Sequence, residues 1–467
     1  MRKFTLILAL LFFQSIFSQE ITLRKGVVID SLRISDSIAE TFGVYLPTTY
    51  TPGSGTSILF IFDPQNRGSR VLQLFRKAAE EQGYILAASN NIEEDESLLY
   101  NTRVAGRLVD RVLNFFPESN NRIYTTGLGN GARVATVLPV VYPSISGVLA
   151  IGDLWINTDY MDRKNDFHFI GMSGYVGGNY NLLNETVSFL NKANVKAEFY
   201  QYEGGNEWPN GDIIANALGS FTLNEMMKGK RARDLGLIES LYKNEQEFLQ
   251  GLLQEMKYYK AYEHLELMQS KYGTFGKGPE IKQQLKELGR ERVFRTQNRQ
   301  YNEVAYTEAE NRDKYIYFFT EDVRAANFEN LGWWNQQMKD LNELQESKNP
   351  AEAEMAFRLE EMLRNLAHRT FKEMKEENAA IDPLIFTAIL ETIFDNENKV
   401  GYFNIISLSS QDGDYYTALL YLEDLLKTGY NDMDSLYNIP GTLDLKLSPE
   451  FNELIKKYLG ESKYYNN

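Results

Sequence analysis

The stretch with the clearest chemical potential is TTGLGNGAR, residues 125–133, which follows the strand-like run Asn121–Tyr124. A strand, a tight glycine turn and a helix with small residues on its inner side form the layout of a nucleophile elbow, whose pattern is G-x-S-x-G. The serine of that pattern supplies the attacking hydroxyl. Here the middle position is Gly129, which has no side chain and therefore cannot attack.

The same glycines fit a second pattern. Gly127, Gly129 and Ala132 match the dinucleotide fingerprint G-x-G-x-x-G/A, and Asp153 follows at the end of the next strand-like run. Glycines there would let a pyrophosphate approach the N-terminus of the helix. Such a fingerprint normally opens its domain, whereas at least three strand-like runs precede this one. A dinucleotide site is therefore the weaker alternative.

Short apolar runs around the elbow predict the strands that must position it. These runs are FGVYLP (42–47), SILFIFD (57–63), YILAAS (84–89), RIYTTG (122–127), GVLAIG (147–152), FHFIGMS (167–173) and KAEFYQYEG (196–204). Continuous apolar runs are typical of strands that are buried on both faces. Helix candidates alternate with them, at Leu98–Phe116, with Asn101 expected on its solvent face, and at Asn181–Val195. Residues 19–230 are therefore predicted to form an α/β domain with a mainly parallel sheet.

After about residue 230 the pattern changes. Strand-like runs nearly vanish, and long helical patterns rich in Glu, Lys and Gln follow, among them residues 351–380. Residues 414–438 and 448–460 resemble a helix pair of tetratricopeptide type, although a clean 34-residue period is not visible. We expect residues 231–467 to form an all-α domain, irregular and tetratricopeptide-like near its end. Such a domain would hold a protein partner in a groove between helices.

Charge and the first residues restrict the function classes. The net charge of −15 argues against nucleic acid and anionic lipid as partners, because both require a basic footprint. Residues 1–18 have a basic start, the apolar run Phe4–Phe13 and a polar end, which predicts a cleavable signal peptide. The glutamine that follows resembles the N-terminus of exported Bacteroidetes proteins. The chain has no cysteine and no later apolar run long enough to span a membrane, so we expect a periplasmic or secreted protein without an anchor.

Five segments in order give the first domain a resemblance to the α/β-hydrolases, of the secreted esterase and depolymerase kind. The segments are VYLPTTY, FIFDPQNRG, TTGLGNGARVA, GVLAIGD and YQYEGGNEWPN. The resemblance covers residues 40–225, a little under half of the chain, and implies an α/β-hydrolase-like sheet domain. In such hydrolases the loop of the last segment carries the catalytic histidine as G-G-H-x-W.

The catalytic residues that this resemblance implies are replaced. The nucleophile position holds Gly129, and the base position holds Asn206, whose side chain has no titratable nitrogen. The acid should follow the run FHFIGMS, but residues 173–180 contain no carboxylate. The sequence therefore predicts an α/β-hydrolase-like protein without a catalytic triad, a pseudo-hydrolase that binds a ligand or a protein.

The three histidines test this interpretation independently. His168 lies inside a predicted strand and is expected to be packed, while His264 and His368 lie in helical runs of the second domain. No sequence feature brings either of the last two over the carboxyl edge of the sheet. The alternative is an active esterase with displaced catalytic residues, in which Ser173 or Ser144 attacks and His168 acts as the base.

A binding site is what remains of the elbow. The backbone N–H of Asn130 and an N–H of the Asp63–Gln65 loop would form an oxyanion hole, which can bind an anion or a carbonyl group without a nucleophile. The predicted binding residues are Asp63, Gln65, Gly129, Asn130, Asn206 and Trp208, with Tyr175 and Trp155 as further aromatic candidates. We expect a small-molecule or peptide ligand and no cofactor. A metal site is not predicted, because the acidic stretches 90–97 and 411–416 lack calcium-loop spacing.

Overall fold

The computed structural model describes residues 23–117, 122–155 and 167–465. The predicted signal peptide lies outside these ranges. Eight strands form one sheet: β1 Val28–Ser35, β2 Ile38–Tyr45, β3 Ser57–Phe62, β4 Tyr84–Ser89, β5 Ile123–Leu128, β6 Ile145–Ile151, β7 His168–Gly174 and β8 Lys196–Tyr202. Their order across the sheet is β1-β2-β4-β3-β5-β6-β7-β8. The first two neighbour pairs are antiparallel and the others are parallel, which confirms a mainly parallel sheet.

Helices cover both faces of the sheet. They are α1 Gly68–Gln82, α2 Leu98–Phe115, α3 Asn130–Val141, α4 Tyr180–Lys192 and α5 Gly211–Met227. One half of the apolar core joins the sheet to α2, α3 and α4, and the other half joins it to α1 and α5. Strands β3 to β7 are buried along their whole length, as their apolar runs predict. The carboxyl ends of these parallel strands therefore meet at one edge of the sheet.

Two features of this domain differ from the sequence prediction. The first is the edge strand β1, whose residues are mostly exposed or partly exposed and which the sequence does not predict. The second is Asn101 on α2, which is 1% exposed rather than on the solvent face. Its side-chain amide satisfies both backbone groups of Glu93, accepting from the N–H at 3.0 Å and donating to the carbonyl at 2.7 Å. A buried side-chain amide of this kind fixes the loop between β4 and α2.

The second part of the described chain is helical. Its helices are α6 Leu235–Gln254, α7 Tyr258–Tyr272, α8 Gly278–Leu288, α9 Arg292–Ala325, α10 Leu331–Gln345, α11 Pro350–Glu376, α12 Ile381–Phe394, α13 Lys399–Asp412, α14 Tyr415–Lys427, α15 Met433–Tyr437, α16 Leu443–Lys446 and α17 Pro449–Leu459. The predicted boundary at residue 230 falls between α5 and α6. The tetratricopeptide-like character stays a prediction. Within the described ranges, none of the helices combines the length and the apolar character needed to cross a membrane.

A buried arginine joins α11 to the sheet domain. The guanidinium of Arg358 pairs with the carboxylate of Glu308 on α9, at 2.8 and 2.6 Å, and donates to the backbone carbonyl of Tyr175 at 2.8 Å. Glu308 also accepts a hydrogen bond of 2.5 Å from Asn181 at the start of α4. Because both charges are almost fully buried, these bonds hold α11 in one position above the sheet.

A second buried ion pair lies between α6, α7 and the edge strand β8. The ammonium of Lys271 contacts the Glu245 carboxylate at 2.5 Å and donates to the hydroxyl of Tyr200 at 3.0 Å. His264 lies 3.0 Å from the other oxygen of Glu245. Burial by itself would raise the pKa of Glu245, but Lys271 and His264 outweigh burial and lower this pKa to about 2. The pair thus ties the helical part to the sheet through charges.

Candidate functional site

The turn between β5 and α3 has the geometry of a nucleophile elbow. Gly129 joins the strand to the helix with φ 53° and ψ −123°. A Cβ atom at Gly127 would collide with the backbone of Gly131, and one at Gly131 would collide with the carbonyl of Phe62 in β3. The two outer glycines of the pattern are therefore required for the close approach of α3 to the sheet. The frame of the elbow is built although its serine is absent.

The central position of the elbow is open. A Cβ atom at Gly129 would have no other atom within 4 Å, and the residue lines a cavity at the carboxyl edge of the sheet. A side chain would therefore fit in the space that a nucleophile occupies in an elbow. The glycine at position 129 is not imposed by crowding.

Free backbone donors remain beside this position. Asn130 and Gly131 are the first two residues of α3, so their N–H groups have no acceptor within the helix. The next N–H, that of Ala132, turns back to the carbonyl of Gly129 at 2.9 Å. The positive end of the α3 dipole adds to these donors. The Asn130 N–H, which belongs to the predicted oxyanion hole and lines the cavity, can hold an anion or a carbonyl oxygen.

The other predicted wall is the loop after β3. Its Asp63 is fully buried, and the carboxylate accepts two hydrogen bonds from Arg67, at 2.8 and 3.1 Å. The same carboxylate receives the backbone N–H of Gln65 at 3.5 Å and the indole N–H of Trp208 at 3.4 Å. Gln65 lines the cavity, whereas Asp63 and Trp208 do not. Asp63 and Trp208 thus support the loop that presents Gln65.

Asn206, at the base position, connects the two parts of the chain. Its side-chain N–H donates to Glu361 on α11 at 2.7 Å. The side chain of Asn206 therefore fastens the covering helix to the sheet domain. An amide suits this task, because it donates at every pH of interest.

One face of α11 covers the elbow. The residues on this face recur at helical spacing and are Glu361, Asn365, His368, Arg369, Lys372, Glu373 and Glu376. Arg369 pairs with Asp153 at 3.2 Å, and Lys372 donates to the carbonyls of Glu94 and Glu96 at 3.3 and 3.4 Å. The space between this face and the elbow, called the cleft below, has a volume of about 420 Å³. The sequence predicts the helix but not its place over the cleft.

The expectation for His368 is wrong. This histidine lines the cleft, because α11 carries it over the carboxyl edge of the sheet. Its Nδ1 lies 3.2 Å from the carboxylate of Glu391 on α12, whose side chain is only 3% exposed. The hydrogen bond to Glu391 raises the pKa of His368 above its usual value. The cleft therefore contains an imidazole oriented by a buried carboxylate, contributed by the helical part.

The displaced esterase is not assembled. His168 is the first residue of β7 and fully buried, and Ser173 lies five residues later on the same strand, about 16 Å away at the rise of a strand. The Ser173 hydroxyl donates to the carbonyl of Gly174 at 3.1 Å. Ser144 is exposed beside the amino end of β6, at the sheet edge opposite the elbow. Burial also lowers the pKa of His168 to about 4, which makes it a weak base.

Asp153 is engaged within the protein. One carboxylate oxygen accepts the backbone N–H of Leu154 at 2.8 Å, and the other pairs with Arg369. In the dinucleotide reading this carboxylate would bind a ribose, and these two bonds leave it little capacity to do so. Among the residues of the three described ranges, no three His, Asp or Glu side chains form a group that could hold a metal ion.

Arg133 is a cation of the cleft that has no ion-pair partner among the described residues. Arg133 lies in the first turn of α3 and lines the cleft, and its Nε is buried with no hydrogen-bond partner in the described part of the chain. Burial lowers the pKa of Arg133, and Asp153 counteracts this shift. Since Asp153 already pairs with Arg369, the two arginines and one aspartate leave a net charge of one. No motif in the sequence singles out Arg133.

Comparison with known proteins gives structural neighbours only. No protein-family model matches the chain, and none of the curated proteins matches it. An esterase from Pyrobaculum calidifontis is similar at 10% identity, over 44% of this chain and 87% of that chain, with a TM-score of 0.35. An S-formylglutathione hydrolase from Staphylococcus aureus is similar at 13% identity, over 43% and 99%, with a TM-score of 0.34. Thermogutta terrifontis esterase 2, phosphonylated by sarin, is similar at 12% identity, over 45% and 99%, with a TM-score of 0.34.

The assignment of fold rests on the chain itself. Strand order, the mainly parallel sheet and the strand–glycine–helix elbow are all present in residues 28–227. The N-terminal part is therefore an α/β domain of α/β-hydrolase-like architecture, and an all-α part follows it.

Proposed function

We propose that this protein is a non-hydrolytic member of the α/β-hydrolase-like architecture, which binds a ligand in a cleft closed by its own helical domain. The observation that carries the proposal is the pair of residues found at the nucleophile and base positions. The nucleophile position is Gly129, with open space around it, and the base position is Asn206, which bonds Glu361 of the covering helix. Without a nucleophile an acyl-enzyme cannot form.

The retained features support binding. The N–H group of Asn130 is available, and the volume of about 420 Å³ lies within the usual range of small-molecule sites. Three further parts of the proposal rest on the sequence alone or on surface composition. The protein would be exported through its signal peptide and act in the periplasm or outside the cell. The helical domain would bind a protein partner, for which exposed aromatic residues of α9, such as Tyr306 and Tyr317, offer contact area.

A serine-directed test decides whether the protein is a pseudo-hydrolase. The purified chain is incubated with a fluorophosphonate probe and, separately, with short-chain aryl esters. We expect no labelling and ester turnover within a few-fold of the buffer rate. Asn130→Ala is the matched control, because it keeps the backbone donors and should behave like the native chain. Stoichiometric labelling of one serine would refute the proposal.

A second candidate function is favoured by His368 and its partner Glu391. This pair could act as a general base on water, without a covalent intermediate. A water oxygen would attack the ester carbonyl carbon while the His368 imidazole takes the water proton. The C–O bond to the alcohol would then break, and the alcohol oxygen would take that proton, leaving a carboxylic acid. The N–H group of Asn130 would hold the oxyanion.

Ester turnover separates this function from pure binding. A water-using hydrolase would turn over aryl esters without phosphonate labelling. Its rate would rise with pH as His368 loses its proton, with a midpoint above the usual pKa of histidine. His368→Gln would then remove the turnover. Arg103→Gln, which changes an exposed residue of α2 outside the cleft, would leave it in place and serves as the control. Absence of turnover in the native chain would dismiss this candidate.

A further inference from the structure

We propose that the cleft binds a zwitterionic ligand of the amino-acid or short-peptide class, with the ligand carboxylate at Arg133 and the start of α3. The ligand's ammonium group would lie at the acidic mouth of the cleft. This inference rests on the proposed ligand-binding function and names the chemical class of that ligand.

The inner end of the cleft is built for a carboxylate. Arg133 has no ion-pair partner among the described residues, and its Nε is buried without a hydrogen bond. A guanidinium that is partly removed from water and unpaired is costly, and its planar fork matches the two oxygens of a carboxylate. The unused N–H group of Asn130 lies at the same end of the cleft, one turn before Arg133 on α3. Together they offer charge and direction to one anionic group.

The mouth of the cleft has the opposite charge. Four carboxylates there, called the acidic rim, belong to Glu94, Glu96, Glu373 and Glu376. All four residues are exposed, and within the described ranges none of these side chains has a hydrogen bond or an ion pair. A ligand with several negative charges, such as a nucleotide, would be repelled here. A ligand with a positive group at its outer end would be attracted.

The two ends therefore select one kind of molecule. Amino acids and peptides carry a carboxylate and an ammonium group at opposite ends, and a tripeptide spans about 10 Å when extended. Arg369 does not compete for the carboxylate, because Asp153 already pairs with it. Lys372, which donates to the backbone carbonyls of Glu94 and Glu96, offsets one of these negative charges and leaves the acidic rim net negative.

Trialanine and two modified forms test the inference on the purified chain. Trialanine has both charges, its C-terminal amide lacks the carboxylate, and its N-acetyl form lacks the ammonium group. Affinity is measured by isothermal titration calorimetry, with ligand-observed NMR for weak binding. We expect each modified peptide to bind about 10- to 100-fold more weakly, as for the loss of one charged hydrogen-bonding group.

A matched pair of variants assigns the carboxylate to Arg133. Arg133→Gln should weaken trialanine binding to the level of the amide, and it should leave binding of the amide unchanged. Arg103→Gln is the control, since Arg103 is an exposed arginine of α2 outside the cleft, and it should bind trialanine as the native chain does.

The inference is overturned if the amide binds as tightly as trialanine, or if none of the three peptides binds the native chain. Those results leave the phosphonate and ester results unchanged, so failure of this inference and failure of the proposed function are distinguishable. If Arg133→Gln does not fold, the comparison of acid and amide on the native chain still decides.

Discussion

Restoring a hydroxyl at the elbow is the sharpest test of how this cleft differs from a working hydrolase. Gly129→Ser introduces no clash, because a Cβ atom there has no neighbour within 4 Å. The backbone at φ 53° and ψ −123° is unfavourable for a residue with a side chain, which costs about 1–3 kcal/mol of stability. We therefore expect the variant to fold with a stability reduced by that amount.

The hydroxyl alone should remain nearly inert. Asn206 cannot take its proton, so we expect less than about a tenfold gain in ester turnover over the native chain. Adding Asn206→His to this variant changes the expectation, because the amide nitrogen of Asn206 lies 2.7 Å from the Glu361 carboxylate. An imidazole there would gain an orienting carboxylate from α11. A positioned general base contributes about 10²- to 10⁴-fold, which is the gain expected of the double variant over Gly129→Ser.

The assay is the rate of fluorophosphonate labelling, with aryl ester turnover beside it. Gly129→Ala, with or without Asn206→His, is the control, since it has the same backbone strain and no hydroxyl. Rapid labelling of Gly129→Ser alone would show that a base already serves position 129, and the reasoning would be refuted. Loss of that labelling on adding His368→Gln would identify the base as His368.

Two further predictions concern buried charges. The pKa of His168 is about 4 in the folded protein and about 6.5 in the unfolded chain, so between these pH values the unfolded chain binds the extra proton. The free energy of unfolding should therefore fall as the pH drops from 6.5 to 4, by up to about 3 kcal/mol. Urea unfolding at both pH values should show a smaller drop for His168→Gln, and an equal drop would contradict the assignment. Lys271→Met should lower the free energy of unfolding by about 3–5 kcal/mol because it leaves Glu245 buried without its cation. Lys243→Met, which removes an exposed ion pair on α6, the helix of Glu245, should change it little. Adding Glu245→Gln to Lys271→Met should recover part of that loss in urea unfolding. A small loss of unfolding free energy in Lys271→Met alone would show that the pair does not fasten the helices.

The sequence predicts the sheet well because the residues of each single strand already indicate that both of its faces are buried. Runs such as ILFIF in β3 and ILAA in β4 have no polar position, so only a strand with both faces covered suits them. The strand β1 escapes prediction because it is a two-residue-turn partner of β2 at the sheet edge, where polar residues are tolerated. The solvent face assigned to Asn101 is wrong because an amide can be buried once backbone groups satisfy it.

The cleft could be predicted only in part. Gly129, Asn130, Gln65 and Asn206 all line it, since the elbow and its neighbouring loops are local features of the α/β domain. The covering face of α11 could not be foreseen, because a helix's own periodicity shows that it has a polar face but not what that face contacts. The sequence therefore gives no indication that His368 lies over the sheet or that Arg133 lines the cleft.

The hydrogen bond from Asn206 to Glu361 also has a consequence in time. The two residues are 155 positions apart in the chain, and every strand of the sheet precedes both α11 and the helices that fasten it. At about 5–20 residues per second, synthesis of that interval takes roughly 8–30 s. In each new molecule the elbow is therefore synthesised before its covering helix. In the finished protein, a ligand held at the start of α3 must exchange past the side of α11 or wait for this helix to lift.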